Sequence, residues 1–351
     1  MPHIRHALPL LLVASAAHAV EVDGSLRLWL GGGLDTNPRR DFVVTGDRTP
    51  TDAVLQGLLQ LDGSLRGERG GLLASYDLGG RKFILLPSED TLVQNASLDA
   101  EVVLLREVSL GSTLHLRDRR GADRNYTDLS GSAWIRFMVQ SRLDARASIG
   151  AHRFIFWPRF PYSFWAPEIG VQARFRITKR HSVSAFLEFE PRTYNANAAP
   201  RPELDPPPEL GVRRDTFFIV GVGYQYRGPW AFGFNYSFME SDSNSYGETL
   251  RRHRINANAG VKLFWELSVM ANVVLQLAQY PDGVYLSDEL IVIDDDESQN
   301  QVALKLARPL GDHFEIDFRW QLFFNKLVKN DLTYLRNTFT LGVSFKLDSY
   351  D

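Results

Sequence analysis

Charged and amide side chains at every second position are the residues of this chain best suited to do chemistry. The sets are Gln172, Arg174 and Arg176; Glu188 and Glu190; Glu315, Asp317 and Arg319; and the single cation Arg136 on a further segment. Alternate residues of an extended strand project to one face, so each set places its polar groups side by side. A wet surface with both signs of charge can pair its charges across strands and can select polar solutes.

Two interpretations of these charges remain open. They can be structural ion pairs that neutralise one another on a hydrated surface. Alternatively, they can create an electrostatic field that orders water and selects solutes. The turn at residues 179–180 predicts that Arg174 lies diagonally near Glu188, within reach of an ion pair. Alternate positions on other predicted strands place further residues on this hydrated face. These residues are Gln56, Gln60, Asp62, Arg66, Asp99, Glu101 and Lys305. Both signs occur, so the set predicts no strong preference for anions or cations.

An aromatic segment between two predicted strands also stands out. It carries Trp157, Phe160, Tyr162 and Trp165 within residues 154–165. Aromatic side chains are enriched where strands leave a membrane, and this is the first interpretation. The alternative is a segment that folds inward, where its rings stack on sugars or narrow a pore.

Other chemistries find less support. Asp294 to Glu297 supplies oxygen ligands for a divalent cation, but it lacks the glycine and alternating spacing of a calcium loop. The basic run Arg251 to Arg254 either contacts lipopolysaccharide phosphates or is simply solvated. After residue 19, histidines occur at 115, 152, 181, 253 and 313 without a recognisable Ser–His–acid group. The sequence therefore predicts no enzyme, no catalytic residue, no cofactor and no metal site, and the net charge of −3 gives no sign of nucleic-acid binding.

Segments of about ten residues in which apolar and polar side chains alternate must position these groups. Four of them present apolar faces, which are Trp230, Phe232, Phe234, Tyr236 and Phe238; Ile255, Ala257, Ala259, Val261, Leu263 and Trp265; Phe314, Ile316, Phe318, Trp320, Leu322 and Phe324; and Phe339, Leu341, Val343, Phe345 and Leu347. None of these positions carries a charge, although 23% of the chain is charged. In a bilayer a lysine or arginine on such a face costs about 2–4 kcal/mol. The pattern therefore favours strands with one face in lipid.

Sixteen such strands can be placed, with fourteen to eighteen possible. They start near Gly24, Ala53, Gly71, Leu92, Leu110, Leu129, Leu143, Ile169, Val183, Phe217, Trp230, Ile255, Leu267, Val302, Phe314 and Phe339. Short connections alternate with long ones, and the long ones are predicted at 35–52, 80–91, 117–128, 157–167, 191–215, 240–252, 281–300 and 326–334. This alternation of short and long connections predicts an all-β fold. The expected architecture is a transmembrane antiparallel up-and-down β-barrel with tight turns at one end and large loops at the other.

The N-terminus predicts export from the cytoplasm. Arg5 supplies a positive charge, residues 7–16 an apolar stretch, and Ala17-His18-Ala19 a cleavage site between small residues. The predicted organisation is a signal peptide over 1–19 and a single barrel over 20–351. The chain has no cysteine, so a closed hydrogen-bonded sheet is the expected source of rigidity.

In strand number, size and alternation, the chain resembles Gram-negative outer-membrane β-barrel proteins and is porin-like. The segment Leu30 to Asn37 is also similar to the first strand of barrels that belong to export systems. The resemblance implies a location in the cell outer membrane, contact with its lipid and lipopolysaccharide, and insertion by the barrel assembly machinery. It implies a channel for polar solutes or an exported polymer. The alternative is a non-conducting barrel that serves as a structural or docking component of an envelope complex for polysaccharide export or surface machinery.

Overall fold

The computed structural model describes residues 21–44, 46–121, 125–157, 160–201, 209–281, 300–327 and 332–348. The described strands are β1 Glu21–Asp35, β2 Val43–Val44, β3 Asp52–Gly67, β4 Gly70–Phe83, β5 Thr91–Leu105, β6 Val108–Arg120, β7 Asn125–Val139, β8 Leu143–Trp157, β9 Phe164–Arg176, β10 His181–Asn197, β11 Val212–Arg227, β12 Trp230–Ser243, β13 Leu250–Lys262, β14 Ser268–Gln279, β15 Asn300–Leu310, β16 Phe314–Leu327 and β17 Leu332–Asp348. Short 3-10 turns occur at Pro87–Glu89, Phe160–Tyr162 and Phe264–Glu266. The predicted signal peptide and the acidic run Asp294 to Glu297 lie outside the described residues.

The strands form one closed antiparallel ring. Each long strand pairs with the next along the chain, and β1 closes the ring by pairing with β17 from Ser25↔Asp348 to Asp35↔Thr338. Of the seventeen strands, the two-residue β2 adds only a short pairing to β17, which leaves sixteen in the wall. The predicted fold class and strand number are confirmed. Closure pairs each described wall strand with a neighbour on both sides, so the ring has no edge strand among the described residues.

The register places the two kinds of side chain on opposite faces of the wall. Phe318 lies opposite Leu341, and both are exposed on the outside. The next pair along, Asp317 and Gly342, faces the interior, where Asp317 is only 1% exposed. Large apolar side chains are exposed over the outer surface, with Ile149 at 65%. Apolar surface of this extent is stable only when something other than water covers it.

The two ends of the barrel differ in their connections. Residues 68–69, 106–107, 140–142, 177–180, 228–229, 263–267 and 311–313 connect strands at one end, called here the turn end. The opposite loop end has the connections 36–51, 84–90, 121–124, 158–163, 198–211, 244–249, 280–299 and 328–331. Among the described residues no helix is long and apolar enough to cross a membrane.

The predicted strand boundaries fail mainly at the loop end. Strands there begin earlier or end later than predicted: β9 starts at Phe164 instead of Ile169, β11 at Val212 instead of Phe217, and β6 continues to Arg120. In the extensions of β11 and β6 the side chains on both faces are mostly polar, and in the extension of β9 the apolar Phe164 and Trp165 lie on opposite faces. The alternation of apolar and polar residues therefore disappears while backbone pairing continues. A further correction concerns Leu263 and Trp265, which were assigned to a strand face. They lie in the turn after β13, where Trp265 has a φ of 57°.

A tryptophan fills the interior side of the closing seam. Trp29 on β1 is 2% exposed, and a Cβ atom at Gly31 or Gly342 would come within about 2.7 Å of its ring. The glycines therefore provide the space in which the indole lies flat against the wall. Its Nε1 donates to Asp317 at 2.9 Å, which connects the first strand to β16 across β17. The seam thus carries polar contacts beyond its backbone pairing.

Candidate functional site

The interior at the turn end contains a cavity of about 720 Å³, called here the turn-side cavity. Residues from β3 to β11 line it. Its charged lining among the described residues is balanced and consists of Arg66, Arg136, Arg146 and Arg174 with Glu68, Asp99, Glu101 and Asp144. Arg136 donates through Nε and Nη2 to the two oxygens of Asp144 at 2.8 and 2.7 Å, and its Nη1 lies 3.5 Å from Glu101. Such bidentate geometry fixes the guanidinium against the wall.

A second cavity of about 550 Å³ lies nearer the loop end and is called here the loop-side cavity. Residues from β15, β16, β1 and β3 to β6 line it, together with Arg40 from the connection after β1. Among its described lining residues, five are arginines (Arg40, Arg81, Arg117, Arg119 and Arg319) and one is an acid, Asp77. Amide side chains occupy much of the remaining surface. The described residues that line the two cavities therefore differ in their balance of basic and acidic side chains.

The predicted set on β16 forms a continuous ionic network with its neighbours. Glu315 contacts Arg27 of β1 at 3.1 Å, Lys305 of β15 at 2.9 Å and Lys346 of β17 at 3.0 Å. Asp317 binds Arg319 at 2.7 Å, and the Arg319 guanidinium lies 4.1 Å from the centre of the Trp29 ring. These three predicted residues therefore lie on the interior wall near the seam. Their contacts hold neighbouring strands together.

Another cluster lies on the opposite wall, around His152 of β8. Its Nδ1 is 2.8 Å from Glu190 and its Nε2 is 2.7 Å from Asp128. An imidazole can donate from both nitrogens only when it is protonated, so this arrangement favours the charged form. Glu190 also binds Arg192 at 2.9 Å, and the Arg192 guanidinium lies 3.6 Å from the Phe217 ring centre. Glu190 is therefore held by two cationic groups.

The other residues that were predicted to face the interior do not form a single cluster. Gln172 and Arg174 line the turn-side cavity, where Arg174 donates to Gln225. Arg176 is exposed at the end of β9, and Glu188 is partly buried further along β10. The predicted contact between Arg174 and Glu188 is wrong. The register places Arg174 opposite Ser184 and Glu188 opposite Gly170, so the two residues lie four positions apart along the paired strands.

The aromatic segment divides between the two faces of the wall. Trp157 and Trp165 are exposed at the loop end and share the parity of the outward Ile149 and Ile169. Phe160 packs beside Trp157 with ring centres 6.3 Å apart, and Tyr162 contacts the inward Phe156 at 6.0 Å. The strands beside the segment bring Phe154, Phe164 and Tyr194 together on the interior side, with stacked rings of Phe154 and Phe164 5.4 Å apart. These inward rings pack against the wall.

Arg117 and Arg119 are interior residues that the sequence interpretation missed. The segment 117–128 was predicted as an outer loop because it has no apolar residue between Arg117 and Arg120. In the structure β6 continues to Arg120, with Arg117 opposite Asn95 and Arg119 opposite Val93. Alternate positions on β6 are the signal that identifies them, since they share the face of Thr113, which donates to the interior Asp99 at 2.6 Å.

Barrels with similar architecture occur among solved structures. A loop-deletion mutant of OmpT, an outer membrane protein of Vibrio cholerae, is 11% identical, with 95% of this chain and 100% of that chain covered and a TM-score of 0.46. Pseudomonas aeruginosa OpdQ is 10% identical, with 93% and 98% covered and a TM-score of 0.47. A mutant of the Rh. blastica porin is 8% identical, with 94% and 100% covered and a TM-score of 0.41. Similarity at this level supports no conclusion about function. No protein-family model and no curated protein matches the chain.

Among the described residues, no group of three or more histidine, cysteine, aspartate or glutamate side chains has an arrangement that could hold a metal ion. The candidate site is the interior wall, whose described residues line the two cavities. Its chemistry is that of fixed charges, amides and aromatic rings around a passage. Such a wall can bind and orient polar solutes without forming or breaking a covalent bond.

Proposed function

We propose that the protein is a passive channel for polar solutes across the bacterial outer membrane. The single observation that carries this proposal is the closed ring of sixteen long strands, with an apolar outer face and a charged interior that contains two cavities. Barrels of this strand number enclose a lumen wide enough for water unless a segment fills it. Each described strand contacts mainly its two neighbours in the wall, so no described strand crosses the interior.

The apolar outer face would lie in lipid, and the long connections would face the lipopolysaccharide surface. The short turns would then lie in the periplasm, as would the barrel assembly machinery and the described ends of the first and last strands. The mechanism would be diffusion through a wet lumen past fixed charges, and no step in it needs a catalyst. Specific solutes would be distinguished by their charge and by their hydrogen bonding to the wall.

Conductance measurements test this function directly. The mature chain, refolded in detergent and added to planar lipid bilayers, is expected to produce stable open current steps in potassium chloride. Solvent and detergent without protein provide the control. Silence at every voltage, from protein that shows strand-rich circular dichroism, would contradict the channel and would favour the non-conducting docking barrel.

A further inference from the structure

We infer that the turn-side cavity recognises the zwitterionic headgroup of an α-amino acid, through Arg146 of β8 and Asp99 of β5. These two residues line the cavity, carry opposite charges and contact the same hydroxyl group, that of Thr113 on β6. Arg146 donates from Nη2 to the Thr113 oxygen at 3.1 Å, and the same hydroxyl donates to Asp99 at 2.6 Å. The inference deepens the proposed channel function, on which its role in transport depends.

The indole of Trp134 on β7 holds this arrangement in place. It is 8% exposed, and its Nε1 donates to the Thr113 hydroxyl at 3.2 Å. Gly111 lies opposite Trp134, where a Cβ atom would overlap the ring, so the glycine provides the space for the indole. The Arg146 guanidinium carbon lies 4.4 Å from the ring centre. The Thr113 hydroxyl therefore accepts two hydrogen bonds and donates one, which fixes its orientation before any ligand arrives.

Both charged groups keep hydrogen-bonding capacity that the protein does not use. A guanidinium has five N–H donors in a planar fork, and a carboxylate can accept about four hydrogen bonds. In the described part of the chain, Arg146 contacts the Thr113 hydroxyl and the Trp134 ring, and Asp99 accepts a hydrogen bond from Thr113. Arg136 differs, because Asp144 and Glu101 both contact its guanidinium. Arg146 and Asp99 can therefore each bind a further charged group.

The separation of the two charges by one hydroxyl selects the class of ligand. A lone carboxylate beside Arg146 would be repelled by Asp99, and a lone ammonium group beside Asp99 would be repelled by Arg146. A molecule with both groups on one carbon atom gains an attraction at each end. The cavity volume of about 720 Å³ lies within the range of sites for small molecules and leaves space for the side chain of an amino acid.

Three probes of nearly equal size test the headgroup, by titration calorimetry of the refolded mature protein in detergent. L-Alanine carries both charges, L-lactate replaces the ammonium group by a hydroxyl, and L-alaninamide replaces the carboxylate by an amide. The protein is expected to bind L-alanine at least about tenfold more tightly than either analogue, since each analogue loses a charge-assisted hydrogen bond. No binding of L-alanine, or equal affinity for the three probes, would overturn the inference.

Two single variants identify the residues. Arg146→Gln is expected to weaken the binding of L-alanine at least about tenfold without weakening that of L-alaninamide, which has no carboxylate for the arginine. Asp99→Asn is expected to weaken L-alanine to a similar extent without weakening L-lactate. Each variant supplies the test if the other fails to fold, as checked by strand-rich circular dichroism. A parallel loss of all three probes in a folded variant would contradict the assignment.

The matched control removes one charge of each sign from the outside of the barrel. Arg251 and Glu240 form an exposed pair near the loop end. Changing both to glutamine is expected to leave the affinity for L-alanine within about twofold, because screened surface charges contribute little to a distant site. A loss as large as that of Arg146→Gln would refute a local site in the turn-side cavity.

A second readout separates this inference from the proposed channel. In planar bilayers, L-alanine is expected to reduce the wild-type current at concentrations at least about tenfold lower than those needed for the Arg146→Gln channel. A conducting barrel that binds the three probes equally would refute the headgroup site and leave the channel function standing. A barrel that prefers L-alanine but never conducts would support the site and contradict the channel.

Discussion

Asp35→Ala is expected to lower the free energy of unfolding by about 3–5 kcal/mol, because it leaves Arg336 buried without its carboxylate. Both side chains are about 1% exposed, and Arg336 donates to Asp35 from Nη2 at 2.6 Å and from Nε at 3.0 Å. Asp35 is the last residue of the first strand and Arg336 lies on the last strand, so the pair holds the closing seam at its loop end. Urea titrations of the protein refolded into lipid vesicles, followed by tryptophan fluorescence, measure the change.

An exposed ion pair at the same end of the barrel provides the comparison. Glu240 and Arg251 are 2.9 Å apart, and their side chains are 39% and 53% exposed. Glu240→Ala is expected to cost less than about 1 kcal/mol, since water screens such a pair. Replacing both buried partners, Asp35→Leu with Arg336→Met, is expected to recover most of the stability lost in Asp35→Ala. Similar losses in Asp35→Ala and Glu240→Ala would refute a special role for the buried pair.

Alternation along the chain was sufficient to predict the barrel because lipid and water sort side chains by position. On β16, Ile316 and Phe318 face outward while Glu315 and Asp317 face inward, as their parity predicts. A one-residue shift in register would move every charge into the apolar surface, so the register is strongly specified. This physical constraint acts wherever the outer face is apolar.

The same argument explains where prediction failed. Near the loop end, β10 and β11 continue through polar residues, where Thr193 pairs with Arg214 and Arg192 with Asp215. Both faces of such a segment tolerate polar side chains, so backbone pairing leaves no periodic trace in the sequence. Arg117 and Arg119 were missed for this reason, and the loop-side cavity was missed with them.

Partners that are distant in sequence could not be predicted from a single chain. His152 meets Asp128 and Glu190 from two other strands, and the Trp29 indole meets Asp317 after nearly the whole chain has closed the ring. Alternation along a strand indicates that a side chain faces the interior. The tilt of the strands and the lengths of their connections determine which inward residues are neighbours. The failed pairing of Arg174 with Glu188 shows the consequence, since the register places Glu188 opposite Gly170, four residues from Arg174.

Two adjacent residues on β13 test whether the outer face lies in hydrocarbon. Ala257 shares the outward parity of Ile255 and pairs with Phe234 and Val273, whereas Asn258 is exposed toward the interior beside Gly233. Ala257→Arg is expected to lower the free energy of unfolding in lipid vesicles by about 2–4 kcal/mol, because a guanidinium at mid-membrane loses its hydration. Asn258→Arg adds the same side chain one position away, and is expected to cost less than about 1 kcal/mol because the interior is wet.

The comparison depends on the difference between the two variants, since both add the same charge and volume to the same strand. Denaturant titrations in vesicles provide that difference, and repeating them in detergent is expected to reduce it, because a micelle deforms and hydrates around a charge more readily than a bilayer does. Equal and small effects at Ala257 and Asn258 would mean that the outer face is not surrounded by lipid. The apolar surface of this barrel would then need a protein partner to cover it, and a passage across the outer membrane would lose its physical basis.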